Sequence, residues 1–217
     1  MRKLFFLGLM IVFFVSCEKN NSDSNNNTLE KSDYFPLKTG NYWIYKHYDI
    51  DSTGNETERD RTDSMIISRD TIINNYKYYI LEGTNYPFNG GEWGIIDILR
   101  DSGSYVVNVE GMIKFSSDNF TDTLVSKSEV FNNDTLYTLT YKMEKLTNSA
   151  SVPAGEFEVL NFKGTVTTPF EISGIKNPRY LNNLYSNRVG KILETYFYIQ
   201  SSVISEKRLE RYNIEKE

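Results

Sequence analysis

The chain predicts a mainly β domain: a single antiparallel, curved sheet of about ten strands forming a half-barrel or sandwich, with at most one short helix. Three observations lead there. Aromatic residues make up 14% of 217 residues, with 16 Tyr and 13 Phe, and aromatic and β-branched side chains favour strands. Short runs of them recur between clusters of Gly, Asn, Asp and Ser, which are the turn formers. Only one segment carries a helical repeat.

In chain order, Tyr42–Asp49 is aromatic and β-branched, followed by Ser64–Ser68, Tyr76–Leu81 and Gly94–Leu99. Asp101-Ser-Gly-Ser104 then separates that last run from Tyr105–Val109, a hairpin signal. In Thr135–Met143, Tyr137, Leu139, Tyr141 and Met143 alternate with Leu136, Thr138, Thr140 and Lys142, so period two turns the first set inward. Phe157–Thr167, Lys191–Ile199 and Arg208–Ile214 complete the set. The exception to the strand pattern follows Asn177-Pro178, where Tyr180, Leu181, Leu184 and Tyr185 repeat at helical spacing while Asn182, Asn183, Ser186 and Asn187 weaken it. A short helix and an irregular strand both remain open there.

The N-terminus reads as an address. Arg2 and Lys3 precede an apolar run, Leu4 to Val15, which ends at Ser16 and Cys17, the chain's single cysteine. The run falls short of the roughly 20 residues that span a bilayer. Phe14-Val-Ser-Cys17 resembles the bacterial lipobox, although Phe14 stands where Leu is usual. The resemblance implies that residues 1–16 are a signal peptide, that Cys17 is lipidated as the first residue of the mature chain, and that Glu18 at its second position directs it to the outer membrane. Glu18-Lys19 with Asp23 resembles the charged tags that carry some lipoproteins to the cell surface, and equally fits a plain tether. Residues 17–32 are almost wholly polar, too poor in apolar surface to fold. Residues 33–217 form the β domain. No helical membrane anchor is expected besides the lipid.

Loss of Arg2 and Lys3 leaves 22 basic against 29 acidic residues, a formal charge of −7, which disfavours nucleic acid as a partner. With Cys17 acylated, the domain has neither a disulfide nor a cysteine nucleophile.

Tyr34-Phe-Pro-Leu-Lys-Thr-Gly-Asn-Tyr-Trp-Ile-Tyr45, Val152-Pro-Ala-Gly-Glu-Phe157 and Asn187-Arg-Val-Gly-Lys-Ile192 resemble a group of uncharacterised bacterial envelope lipoproteins. Those carry a Phe-Pro-Leu-x-x-Gly-x-x-Trp-x-Tyr start, a Val-Pro-Ala-Gly-x-Phe turn and a late Val-Gly. The resemblance implies an architecture similar to the half-barrels of lipoprotein carriers and acceptors, and brings no activity with it. Physically, the three motifs are fold devices. Pro36 and Gly40 set up the first strand, Trp43 is its anchor, Val152–Gly155 is a tight turn and Gly190 lets the backbone bend or approach a neighbour.

Catalytic signals are sparse. His47 is the single histidine, no Gly-x-Ser-x-Gly elbow accompanies it, and it is expected at the surface or facing a pore. Asp49, Asp51 and Asp60 match calcium-loop positions, but Asp60 stands where a bidentate Glu is usual, and Asp51-Ser-Thr-Gly-Asn55 is also an ordinary hairpin turn. No cofactor is expected. The aromatic surplus nominates Trp43, Tyr45, Tyr78, Trp93 and Tyr105 as ligand-binding residues for a lipid, glycan or hydrophobic peptide. The leading expectation is a non-enzymatic binding protein of the envelope, lipid-anchored in the outer membrane and facing the periplasm or the cell surface. A structural or assembly subunit of an envelope protein complex is the alternative, and a hydrolase with paired carboxylates the second.

Overall fold

A computed structural model describes residues 33–86 and 90–215. Cys17 and the polar tether lie outside the described residues. Among these residues there is no helix, and fifteen strands are formed.

Trp43, Tyr45 and His47 alternate inward along β1 (Tyr42–Ile50). Strand β2 (Glu56–Ile73) is far longer than its apolar segment suggests. Residues 56–62 are polar and largely exposed, and cross-strand ion pairs hold them to their neighbours: Lys46 with Glu58 at 2.5 Å, Arg59 with Asp49, and Arg208 with Glu56 at 2.7 Å. Asn74 and Asn75, both at positive φ, turn the chain into β3 (Tyr76–Gly83). Asparagine is the side-chain-bearing residue that tolerates this conformation best. The meander continues through β4 (Gly94–Ser102), β5 (Tyr105–Asn108) and β6 (Ile113–Ser116).

Residues 117–124 then carry the chain to the opposite margin of the sheet. There β7 (Val125–Phe131) and β8 (Asp134–Lys145) form a second asparagine-turned hairpin. Val152-Pro-Ala-Gly155 is the tight turn of a separate small hairpin, β9 (Ala150–Val152) and β10 (Gly155–Phe157), so Phe157 precedes rather than opens β11 (Leu160–Thr167). Four more strands, β12 (Arg179–Leu181), β13 (Asn183–Ser186), β14 (Gly190–Phe197) and β15 (Ile204–Asn213), close the order.

The open choice at residues 177–187 resolves as strand. Asn161 supplies the reason: its side-chain oxygen accepts the Asn183 amide at 3.0 Å, and its amide donates to Asn182 Oδ1 at 2.9 Å. The asparagines that weaken a helix thereby complete the sheet.

Every pairing is antiparallel, and thirteen strands form one sheet in the order β6-β5-β4-β3-β2-β1-β15-β14-β13-β11-β8-β7, with β12 beside β11. Strand β15 pairs with β1, so the two ends of the folded domain meet at the middle of the sheet. The sheet curls until the β6 margin meets β13: the rings of Phe115 and Tyr185 lie 4.7 Å apart. No backbone ladder joins β6 to β11, β8 or β7. The result is a nearly closed barrel with one unzipped seam. Trp43, Leu209, Ile192, Phe115, Leu81 and Ile67 form its core.

Candidate functional site

Inside the curl lies a cavity of about 460 Å³. Met65, Leu81, Ile96, Leu99, Val125 and Phe162 supply its apolar wall. Tyr45, Tyr141 and Tyr185 add phenols, and Asp63, Asp97, Glu194, Lys114, Lys191 and Lys207 add charge. The volume is within the usual range for small-molecule sites, and a mainly apolar lining with a few convergent polar groups is their common form.

The charged wall is built by strand register. Lys207 pairs with His47 on one side and Glu194 on the other, and Glu194 pairs with Asn183, so these four residues form one row across β1, β15, β14 and β13. Lys191 joins Glu194 through a bulge. Leu184 faces Leu193 but Tyr185 faces Lys191, leaving Ile192 as the extra residue. Two positions three apart therefore point the same way, and their side chains meet at 3.0 Å.

The interior charges form a linked series. Lys207, whose side chain is 9% exposed, donates to Glu194 at 2.9 Å and to Asn85 Oδ1 at 2.9 Å, with Asp63 at 3.9 Å. Asp63 accepts His47 Nε2 at 2.9 Å and the Tyr86 amide at 3.1 Å. His47 Nδ1 lies 2.9 Å from the Tyr196 hydroxyl. Across the cavity, Lys114 pairs with Asp97 at 2.8 Å. Burial pushes the Glu194 carboxyl upward, but Lys191 and Lys207 outweigh it and hold the group well below the usual glutamate range. Burial raises the phenols of Tyr45 and Tyr185 and pushes Tyr141 up to about 12. All three remain protonated at neutral pH.

Of the five aromatic residues nominated from sequence, Tyr45 alone lines this cavity. Trp43 is fully buried in the core, its indole N–H donating to the Val189 carbonyl at 2.6 Å. Tyr78 accepts the Arg100 guanidinium at 3.1 Å, and Tyr105 accepts Asn119 at 3.0 Å. Trp93, 60% exposed, sits just before β4. Tyrosine's usefulness as a half-buried strand residue accounts for this dispersal. His47 faces inward but is buried rather than open to a pore, because Asp63 and Tyr196 satisfy both ring nitrogens.

The calcium-loop positions are engaged elsewhere. Asp51 caps its own hairpin, accepting the amides of Thr53 and Asn55 at 2.8 and 2.9 Å. Asp49 is bonded to Arg59 and to Ser205, and Asp60 falls in a bulge where the β1–β2 register slips. Among the described residues no group of three or more His, Cys, Asp or Glu side chains is placed to hold a metal.

The residues that sequence reading missed are the interior charges. Lys207 lies in a charged stretch that resembles a solvated strand face, and strict alternation puts Lys191 and Glu194 on opposite faces of a mainly apolar run. The one available signal was Glu194, which keeps inward parity with Tyr196.

No known family profile matches the chain. No curated protein matches it either. Among solved structures, it is similar to a Bacteroides fragilis protein described as exported and as having a YmcC-like fold, with 14% identity over 82% of this chain and 98% of the other, at a TM-score of 0.43. It is also similar to a Parabacteroides distasonis protein described as a lipoprotein, with 15% identity over 83% and 98% of the two chains, at a TM-score of 0.45.

Proposed function

We propose that this chain is a lipid-anchored envelope protein that holds a small hydrophobic or amphipathic molecule inside its curled sheet. The observation that carries this reading is the cavity of about 460 Å³, open between apolar walls in a domain whose core is otherwise packed. Its place inside the curl and its mainly apolar lining favour a small molecule over a glycan or an extended peptide. Anchorage rests on Cys17 and the lipobox-like residues before it; outer-membrane placement rests on Glu18 at the second mature position. Against the hydrolase reading stands the state of the interior carboxylates: Asp63 is held by His47 and a backbone amide, Glu194 by two lysines. Glu194, held well below the usual glutamate range, is not poised as a general acid.

The assembly-subunit reading has one observation in its favour. Strand β7 is a free sheet margin, and Val130 and Phe131 at its end are 55% and 62% exposed, a surface that strand addition could cover.

Native mass spectrometry of the protein purified from its own host tests the leading reading. A reproducible non-covalent mass, lost on unfolding, supports it. A bare protein that also takes up no alkyl probe in solution counts against it and turns attention to β7 and to co-purifying partners. Metabolic labelling with a fatty acid, lost in Cys17→Ser, tests the anchor.

A further inference from the structure

Strand β7 is an open margin of the main sheet: among the described residues it pairs with β8 alone, and five of its seven residues are exposed. The β6 margin is folded under instead, with Phe115 and Ser116 buried and Phe115 against Tyr185. Side chains of β7 alternate between two faces. Val125, which lines the cavity, shares its face with Lys127, Glu129 and Phe131, and Ser126, Ser128 and Val130 share the other. Where the β7–β8 register slips, the extra residue is Leu136 on β8, so β7 itself stays regular along its length.

Its two charges stand apart from the others on exposed strands. In the polar part of β2, Glu56, Glu58 and Arg59 are met across strands by Arg208, Lys46 and Asp49. On β8, Leu139 lies opposite Lys127 and Tyr137 opposite Glu129, and neither charge has an ion-pair partner among the described residues. A lysine on an edge strand ordinarily deters an incoming strand. Here a glutamate two residues on, on the same face, supplies its complement.

Two identical edges that pair antiparallel are related by a two-fold axis perpendicular to the sheet, so each residue opposes one of its own face. Three central registers satisfy this. Centred on Lys127 or on Glu129, the pairing sets like charges opposite each other, which destabilises it. Centred on Ser128, it engages all of Val125-Ser-Lys-Ser-Glu-Val-Phe131: Lys127 meets Glu129 twice, Val125 meets Phe131 twice, Ser126 meets Val130 twice, and Ser128 meets its own copy. The exposed Val130 and Phe131 are thereby covered, and the unpaired backbone of β7 gains a ladder.

We propose that β7 is a self-association edge, along which two copies of this chain pair antiparallel, centred on Ser128, to continue one sheet across a two-fold axis. The proposal is independent of the cavity reading. Seven residues a side make a small contact beside the roughly 1,600 Å² of a standard interface, so the dimer is a weak one in solution, with a dissociation constant in the micromolar to millimolar range.

The test uses the chain from residue 17 with Cys17→Ser, which removes the single cysteine, in sedimentation equilibrium up to about 1 mM. A monomer–dimer equilibrium is expected. Lys127→Glu and Glu129→Lys each turn two attractive pairs into two repulsive ones and should weaken dimerisation about tenfold or more. Mixing the two variants, or combining both changes in one chain, should restore it, because opposite charges face each other again; a folding defect has no such rescue. A short bismaleimide reads the register. Ser128→Cys should cross-link to its own copy, whereas Ser126→Cys and Val130→Cys should cross-link to each other in a mixture far faster than to themselves, since their own copies lie about 14 Å away. A chain that stays monomeric to about 1 mM overturns the proposal and leaves β7 to a strand of a different protein. A dimer indifferent to both charge reversals also overturns it and places the contact elsewhere on the surface. Neither result touches the cavity reading.

Discussion

Gly190 leaves no room for a side chain beside Trp43: a Cβ at that position would stand 3.2 Å from the indole Nε1 and 3.4 Å from Cε2 and Cζ2. The same indole donates to the carbonyl of Val189, so ring and turn are fixed to each other across 146 residues of sequence. Gly190 also has φ +98°, a conformation that strains any residue with a Cβ. Gly190→Ala is expected to cost about 1–3 kcal/mol, read as a lower urea midpoint by circular dichroism. An unchanged midpoint would show that the indole shifts aside freely.

The pair also marks how far the sequence could be read. The Trp43 anchor, the close approach at Gly190 and the Val152–Gly155 turn were legible because each is a local signal with one physical cause. The extent of β2 was not, since residues 56–62 bury almost nothing and owe their place to partners on β1 and β15. The site was less legible still. Period-two alternation assigns Lys191 and Glu194 to opposite faces, and only the bulge at Ile192 unites them. Lys207 sits in Ser205-Glu-Lys-Arg208, which looks like a solvated run until the curl of the sheet encloses it. Such facts belong to register and closure, which composition does not encode.

Lys207 is the hinge of the interior charge series. Lys207→Met leaves Glu194 with Lys191 as its one cation and Asp63 with His47 and the Tyr86 amide, inside the barrel. Removing one member of a buried ionic set typically costs about 3–5 kcal/mol, and a loss of that size in urea unfolding is expected here. The double variant Lys207→Met with Glu194→Leu should recover a good part of it, because the uncompensated charge goes too. A near-neutral single variant would mean that water reaches the series and solvates it.

Stability should carry a signature of Glu194 in acid. Its folded pKa lies below the ordinary glutamate value of 4.5, so the protonated form is disfavoured by the fold. The stabilisation is therefore complete above 4.5 and is lost as pH falls toward the folded value. Glu194→Gln should be markedly less stable than the parent at neutral pH, and the gap should narrow as the medium becomes more acidic than pH 4.5. Urea midpoints at a series of pH values measure it. A gap that stays constant with pH would assign the effect to packing rather than to charge.

Met65 offers the cleanest separation of cavity from core. Its side chain packs at the margin of the core and faces the cavity, so a larger group there has empty space to enter. Enlarging a residue in a close-packed interior costs about 1–3 kcal/mol. Met65→Trp should escape that cost, with a melting midpoint no lower than the parent's, while its uptake of an alkyl probe, dodecanol, falls sharply because the indole occupies the ligand's volume. The contrast is internal to one variant. If Met65→Trp destabilises the protein as a packed position would, the space beside it is already filled by side-chain motion. If it is stable and still binds the alcohol, the chain of the ligand lies along another wall, with Phe162 the next position to enlarge or truncate.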